Sequence, residues 1–156
     1  MSEAASRSGV CREGGQPRRP LVVLVLSVLG LLVSAYLVYE HFTSATRLAC
    51  TETGGVNCVK VTTSEYSVFL GVPIAVLGLG FFLAMTAMSW PSLWRRPVLR
   101  VGRLVASVVG VLFVLRLVWL ELFRINAICL WCTAIHVIVV VLFAVLAVDA
   151  ALTPHV

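Results

Sequence analysis

The chain has 156 residues, of which 60% are hydrophobic and only 12% charged, with a net charge of +5. A soluble domain carries roughly 25% charged and under 50% apolar residues, so this apolar excess exceeds what a small core can bury and lipid must form part of the solvent. The basic residues stand in blocks beside apolar runs rather than on one polar face, which fits a membrane-topology signal better than nucleic-acid binding.

Residues 1–19 are Ser-, Gly- and Arg-rich without an apolar period and read as a disordered tail. The first apolar run, Leu21–Phe42, is charged only at its far end, at Glu40 and His41. It reaches the ~20 helical residues that span a hydrocarbon core. It is also longer than the ~7–15-residue apolar region of a cleaved signal peptide, so it is expected to stay. From Thr43 to Leu70 the sequence turns polar. The second run, Val72–Trp90, has Pro73 in its first turn, where a missing N–H costs nothing.

Pro91 and Pro97 bracket a basic connection containing Arg95 and Arg96. The third run is roughly Leu104–Phe123, interrupted by Arg116. After a tight link through Arg124, Ile125 and Asn126, the fourth covers Ile128–Val148, with His136 its only ionisable residue besides the two cysteines. Gly78, Gly80, Gly102 and Gly110 are expected to permit close helix packing. The sequence thus predicts an all-α membrane protein: one domain, 20–149, folded as a four-transmembrane-helix bundle (21–42, 72–90, 101–123, 128–148).

Arg7, Arg12, Arg18, Arg19, Arg95, Arg96, Arg100 and Arg103 lie before the first run or between the second and third; only Arg47, Lys60 and Arg124 lie in the other two connections. The positive-inside rule then puts both termini in the cytoplasm and the loop 43–70 and link 123–128 outside.

That topology places Cys50, Cys58, Cys129 and Cys132 on one face, in the compartment where disulfides persist, and leaves Cys11 alone as an inert cytoplasmic thiol. Cys129-Leu130-Trp131-Cys132 is a C-x-x-C motif at a helix N-terminus, where free backbone N–H groups and the helix dipole stabilise a thiolate. Cys50 and Cys58 sit in a loop whose Thr53-Gly54-Gly55 stretch is expected to let that pair swing. Three readings fit: a relay passing a disulfide between a mobile and a fixed pair, a non-catalytic scaffold braced by two structural disulfides, or a four-thiolate zinc site. The last is disfavoured by the C-x7-C spacing and by the oxidising face.

Several stretches resemble the vitamin K epoxide reductase family in its bacterial form. They are Ser34-Ala35-Tyr36, Asn57 to Ser67 running on to Gly71-Val72-Pro73, and Glu121-Leu122-Phe123 followed by Ile125, Ala127-Ile128-Cys129 and Trp131-Cys132. The resemblance implies a quinone-dependent disulfide-generating oxidoreductase of the cytoplasmic membrane that uses menaquinone or ubiquinone and no metal. It implies that Cys132 adjoins the quinone, that Cys58 attacks Cys129, and that Cys50 exchanges with a thioredoxin-like oxidase on the outer side. No such domain adjoins either end, so that partner is expected to be a separate chain. Ser64 resembles the family's hydroxyl near the quinone.

Where animal members carry a Tyr against vitamin K, this chain has His136, one helical turn beyond Cys132; it is either a hydrogen-bond or proton donor to the quinone or a His satisfied by a neighbouring helix. Trp131 is placed at the membrane interface beside the active cysteines. Arg116, inside the third run, is either a snorkelling anchor or a positive charge near the quinone headgroup. Glu121 stands near the outer rim, with an arginine or His41 as candidate partners. The other four-helix quinone-linked disulfide-generating family has its C-x-x-C in the first outer loop, the reverse of the order here.

Overall fold

The computed structural model describes residues 18–43, 50 and 54–152. Four long helices dominate: α1 (Arg18–Phe42), α3 (Ile74–Met88), α4 (Pro97–Leu120) and α5 (Leu130–Leu152). Three segments, Arg18–Phe42, Pro97–Ile125 and Leu130–Leu152, are long and apolar enough to cross a membrane. The run expected at 72–90 is helical only over Ile74–Met88. Its 15 residues reach about 22 Å at 1.5 Å per residue, against a hydrocarbon core of about 30 Å.

Other boundaries also moved. Arg18 and Arg19 belong to α1 rather than to the tail, whose remaining residues, Cys11 among them, lie outside the described part. The third helix starts at Pro97, whose ring suits a first helical turn. The polar loop 43–70 contains a short helix α2 (Cys58–Thr62), a 3-10 turn (Glu65–Ser67) and the first strand of a hairpin, β1 (Val68–Phe69) with β2 (Val72–Pro73). Leu70 and Gly71 take positive φ, 51° and 84°, in the two-residue turn between the strands.

α1 packs along α3 and α5, and α4 along α5, while the seam between α3 and α4 is looser. The main core gathers Val23, Phe82, Met85, Val114, Val139 and Leu142. Gly30 permits the closest approach: a Cβ there would stand inside the Phe82 ring. Gly78 meets Ser34, and Gly110 fits between Phe81 and Val139, as close packing requires; Gly80 faces open space and has no such role.

The start of α1 and the end of α5 meet at one end of the bundle, where Arg19 pairs with Asp149 at 3.3 Å. Arg100 donates to the carbonyls of Asp149 and Ala150 at 3.4 and 3.2 Å, covering oxygens in the last turn of α5 that have no helical partner. Arg103, 1% exposed, donates to Met88 O at 2.6 Å and Trp94 O at 2.9 Å and lies 4.1 Å from the Trp94 ring centre. It fastens the α3–α4 connection to the bundle.

Candidate functional site

At the opposite end the backbone departs from regular helix wherever a sulfur has to be placed. α4 runs into a π-helical turn, Glu121–Ile125, closed by Asn126 in the left-handed region (φ 50°). The Ala127 amide donates to Glu121 O at 3.2 Å, so the chain reverses within a few residues and enters α5. Cys129 stands where α5 begins: its carbonyl accepts the Thr133 amide at 2.9 Å, and its Sγ accepts the Cys132 amide at 3.3 Å. A sulfur thus caps the helix in the position Ser or Asp commonly holds.

The Cys58 segment is tied to the same place. Ile128 N–H donates to Gly55 O at 2.9 Å and Asn57 N–H to Ile128 O at 3.1 Å, joining the loop to the residue before Cys129. Asn57 caps α2, its Oδ1 accepting the Lys60 amide at 2.7 Å. Cys58 opens that helix, and Cys58 and Cys129, both 0% exposed, share one buried cluster with Leu37, Val61, Ile125 and Ala127. Trp131 packs against the cluster and meets Tyr36 at a tilt of 55°, ring centres 5.1 Å apart. Gly54 takes a positive φ, 63°, Thr53 lies outside the described residues, and Cys58 is held by a bridged and capped backbone with its side chain buried.

Cys50 and Cys58 form a disulfide with a Cα–Cα distance of 6.2 Å, while Cys129 and Cys132 are thiols. The side-chain hydrogen bond with Cys132 holds the Cys129 thiol below its ordinary pKa. Burial opposes this, the Cys132 backbone N–H adds to it, and the Glu121 carboxylate opposes it in turn.

Beneath the cluster lies a cavity of about 300 Å³, at the small end of ligand-binding pockets. Its walls are chiefly apolar and drawn from α1, α3, α4 and α5, among them Phe81, Phe113 and Val139. Cys132 lines it and also packs against the cysteine cluster, so one sulfur belongs to both compartments. Few polar groups face in. Ser64 lines the wall with its hydroxyl proton committed to Val61 O at 2.8 Å, leaving its oxygen as an acceptor. His136, 6% exposed, lines it too, one helical turn from Cys132.

Two wall residues had not been singled out as site residues. Ser34 is 0% exposed and, among the described residues, its Oγ has no hydrogen-bond partner. Glu121 is 6% exposed and, among the described residues, its carboxyl makes no hydrogen bond or ion pair; the arginine or His41 partner considered for it is not engaged, though His41 lines the same cavity.

Trp131 and Arg116 stand outside the cavity wall. Arg116 is exposed, its guanidinium 4.8 Å from the Phe69 ring centre, and Phe69 meets the wall residue Phe113 edge-on at 5.6 Å.

An apolar chamber with an unpartnered buried hydroxyl, an acceptor oxygen, an imidazole and a thiol suits a flat apolar molecule carrying carbonyl oxygens, because a buried hydroxyl without a partner costs roughly 1–3 kcal/mol that such an oxygen relieves. The sequence model of the Vitamin K epoxide reductase family matches residues 21–147.

Proposed function

Because the chain belongs to the vitamin K epoxide reductase family, and so to the multi-pass membrane oxidoreductases, we propose that it reoxidises a thioredoxin-like partner and passes the electrons to quinone, supporting disulfide formation. In this reading all four long helices cross the cytoplasmic membrane, both termini are cytoplasmic, and the cysteines face outward. One observation carries it: Cys132 lines the cavity while packing against the buried cluster that holds Cys58 and Cys129.

The relay proceeds by thiolate exchange. A dithiol of the partner reduces the Cys50–Cys58 bond and leaves as a disulfide. The Cys58 thiolate attacks Cys129 and breaks a Cys129–Cys132 bond. Cys50 then attacks Cys58, re-forming the outer disulfide and releasing Cys129 and Cys132 as thiols. Both cysteines of the attacking step are buried in one cluster, so exchange needs little movement on the Cys58 side.

A quinone, menaquinone or ubiquinone, supplies a sink for two electrons and two protons. Toward it Ser34 presents a free hydroxyl, Ser64 an acceptor oxygen and His136 an imidazole. Trp131 and Arg116 act at one remove, Trp131 by holding Tyr36 over the cluster and Arg116 through Phe69 and Phe113.

The purified protein in lipid, supplied with a reduced thioredoxin-like domain, is expected to bleach added quinone. Cys132→Ala should bring this to the uncatalysed background, while in Cys58→Ala the lone Cys50 thiol should attack the disulfide of an oxidised thioredoxin-like domain and trap it as a mixed disulfide. Continued quinone reduction by the Cys132 variant, with quinone as sole acceptor, would overturn the relay order. If neither thiol pair changes its alkylation with redox state, the protein is a disulfide-braced scaffold instead.

A further inference from the structure

Oxidation of two thiols to a disulfide releases protons as well as electrons, and the cavity is a poor place for free protons to travel because its walls are chiefly apolar. A group that can take a proton beside the sulfurs and return it a few ångströms away removes that barrier. The relay as described uses no such group between Cys129 and the cavity.

Glu121 stands at that junction. It is 6% exposed, lines the cavity with Cys132 and His136, and makes no hydrogen bond or ion pair among the described residues. A buried carboxyl that only braces a fold is normally hydrogen-bonded or paired; this one is neither. It lies at the first residue of the π-helical turn, and such turns occur frequently at functional sites. Its backbone carbonyl anchors the reversal through Ala127, so the side chain is left free of that structural task. Its charge also bears on the Cys129 thiol. The other titratable side chains on the cavity wall are His41 from α1, Tyr66 before β1, and Cys132 and His136 from α5.

We propose that Glu121 is a catalytic acid–base of this site, carrying a proton from the Cys129 thiol to an oxygen of the quinone in the cavity. The proposal rests on the quinone-linked reading above. In the step, the Cys129 and Cys132 thiols lose two electrons and two protons and the Cys129–Cys132 bond forms; these are the two electrons and two protons that convert a quinone to a quinol. One proton passes through the Glu121 carboxylate, which ends the cycle as it began. The other leaves from Cys132, which itself lines the cavity.

The test uses the full chain in lipid nanodiscs and compares wild type with Glu121→Gln and Glu121→Asp. For Glu121→Gln, kcat for quinone reduction should fall about 100-fold, the lower end of general acid–base contributions, with KM changed less than threefold. Glu121→Asp should recover a substantial part of that loss. Exchange between the partner and Cys50–Cys58 should be unchanged, which also reports that the variants fold.

A second readout needs no quinone. In the reduced protein, the pH profile for alkylation of Cys129 should move to lower pH in Glu121→Gln, because a carboxylate that opposes the thiolate has been removed. A Gln variant with wild-type kcat, a loss confined to KM, or an unmoved alkylation profile overturns the proposal while the relay stands. Wild-type protein that reduces no quinone overturns the relay reading, and this proposal with it.

Discussion

Two buried charged residues mark the two ends of the bundle. Arg103, 1% exposed, lies over Trp94 and donates to two carbonyls through Nη1 and Nη2, contacts that tie a loop to the helices, while its Nε has no partner among the described residues. Glu121, 6% exposed, lines a cavity and makes no hydrogen bond or ion pair among the described residues. A buried charge held by hydrogen bonds to a loop is an element of structure, whereas one left without any beside reactive sulfurs is available for chemistry. The backbone follows the same division. The Arg103 end is regular helix closed by arginines on carbonyls. The cysteine end is built from a five-residue helix, a hairpin and a π-helical turn.

The sharpest way to break this contrast is to remove Arg103. Arg103→Met keeps much of the side chain's bulk but abandons the carbonyls of Met88 and Trp94. The expected cost is about 3 kcal/mol, as for buried hydrogen bonds to a charged group, read as a lowered unfolding midpoint in detergent. The kcat of the remaining folded protein should be unchanged; a loss of kcat without a loss of stability would erase the distinction between the ends. A smaller effect is expected at Gly30, where a Cβ would enter the Phe82 ring. Gly30→Ala should destabilise by about 1–3 kcal/mol through overpacking, again with thiol exchange intact.

Much of this plan is legible in the sequence, and the illegible part has a physical cause. Long apolar runs announce α1, α4 and α5 because length and hydropathy suffice for a helix in lipid. The C-x-x-C spacing announces Cys129 and Cys132 at a helix start. The rotation of each helix is hidden, because lipid and protein core are both apolar and no amphipathic period separates the faces. That is why Ser34 went unassigned though it faces the cavity, and why Gly80 looked like a packing glycine though Gly30 is the closer approach. The start of α3 is hidden for another reason: Val72 and Pro73 are apolar enough to extend a helix, yet pair with Phe69 and Val68 in a hairpin. Likewise α2 depends on one Asn57 cap and on bridges to Ile128, contacts that no local pattern encodes.

That cap offers the mildest probe, at the cysteine end. Asn57→Ala removes the acceptor of the Lys60 amide but leaves the backbone bond from Asn57 N–H to Ile128 O, so the loop remains joined to the start of α5. Loss of such a cap costs about 1 kcal/mol, less than either change in the core. The penalty falls on a helix of only five residues whose first residue is Cys58, so it should appear as local opening rather than global unfolding. At that cost the open population rises about fivefold, since 1.4 kcal/mol is a factor of ten in an equilibrium. Alkylation of reduced Cys58, which is 0% exposed when α2 is formed, should accelerate by that factor while the unfolding midpoint barely moves. Equal acceleration at Cys129 would show that the two sulfurs open as one unit. Acceleration at Cys58 alone would show that α2 is the separable part, and that the start of α5 keeps its sulfur in place without it.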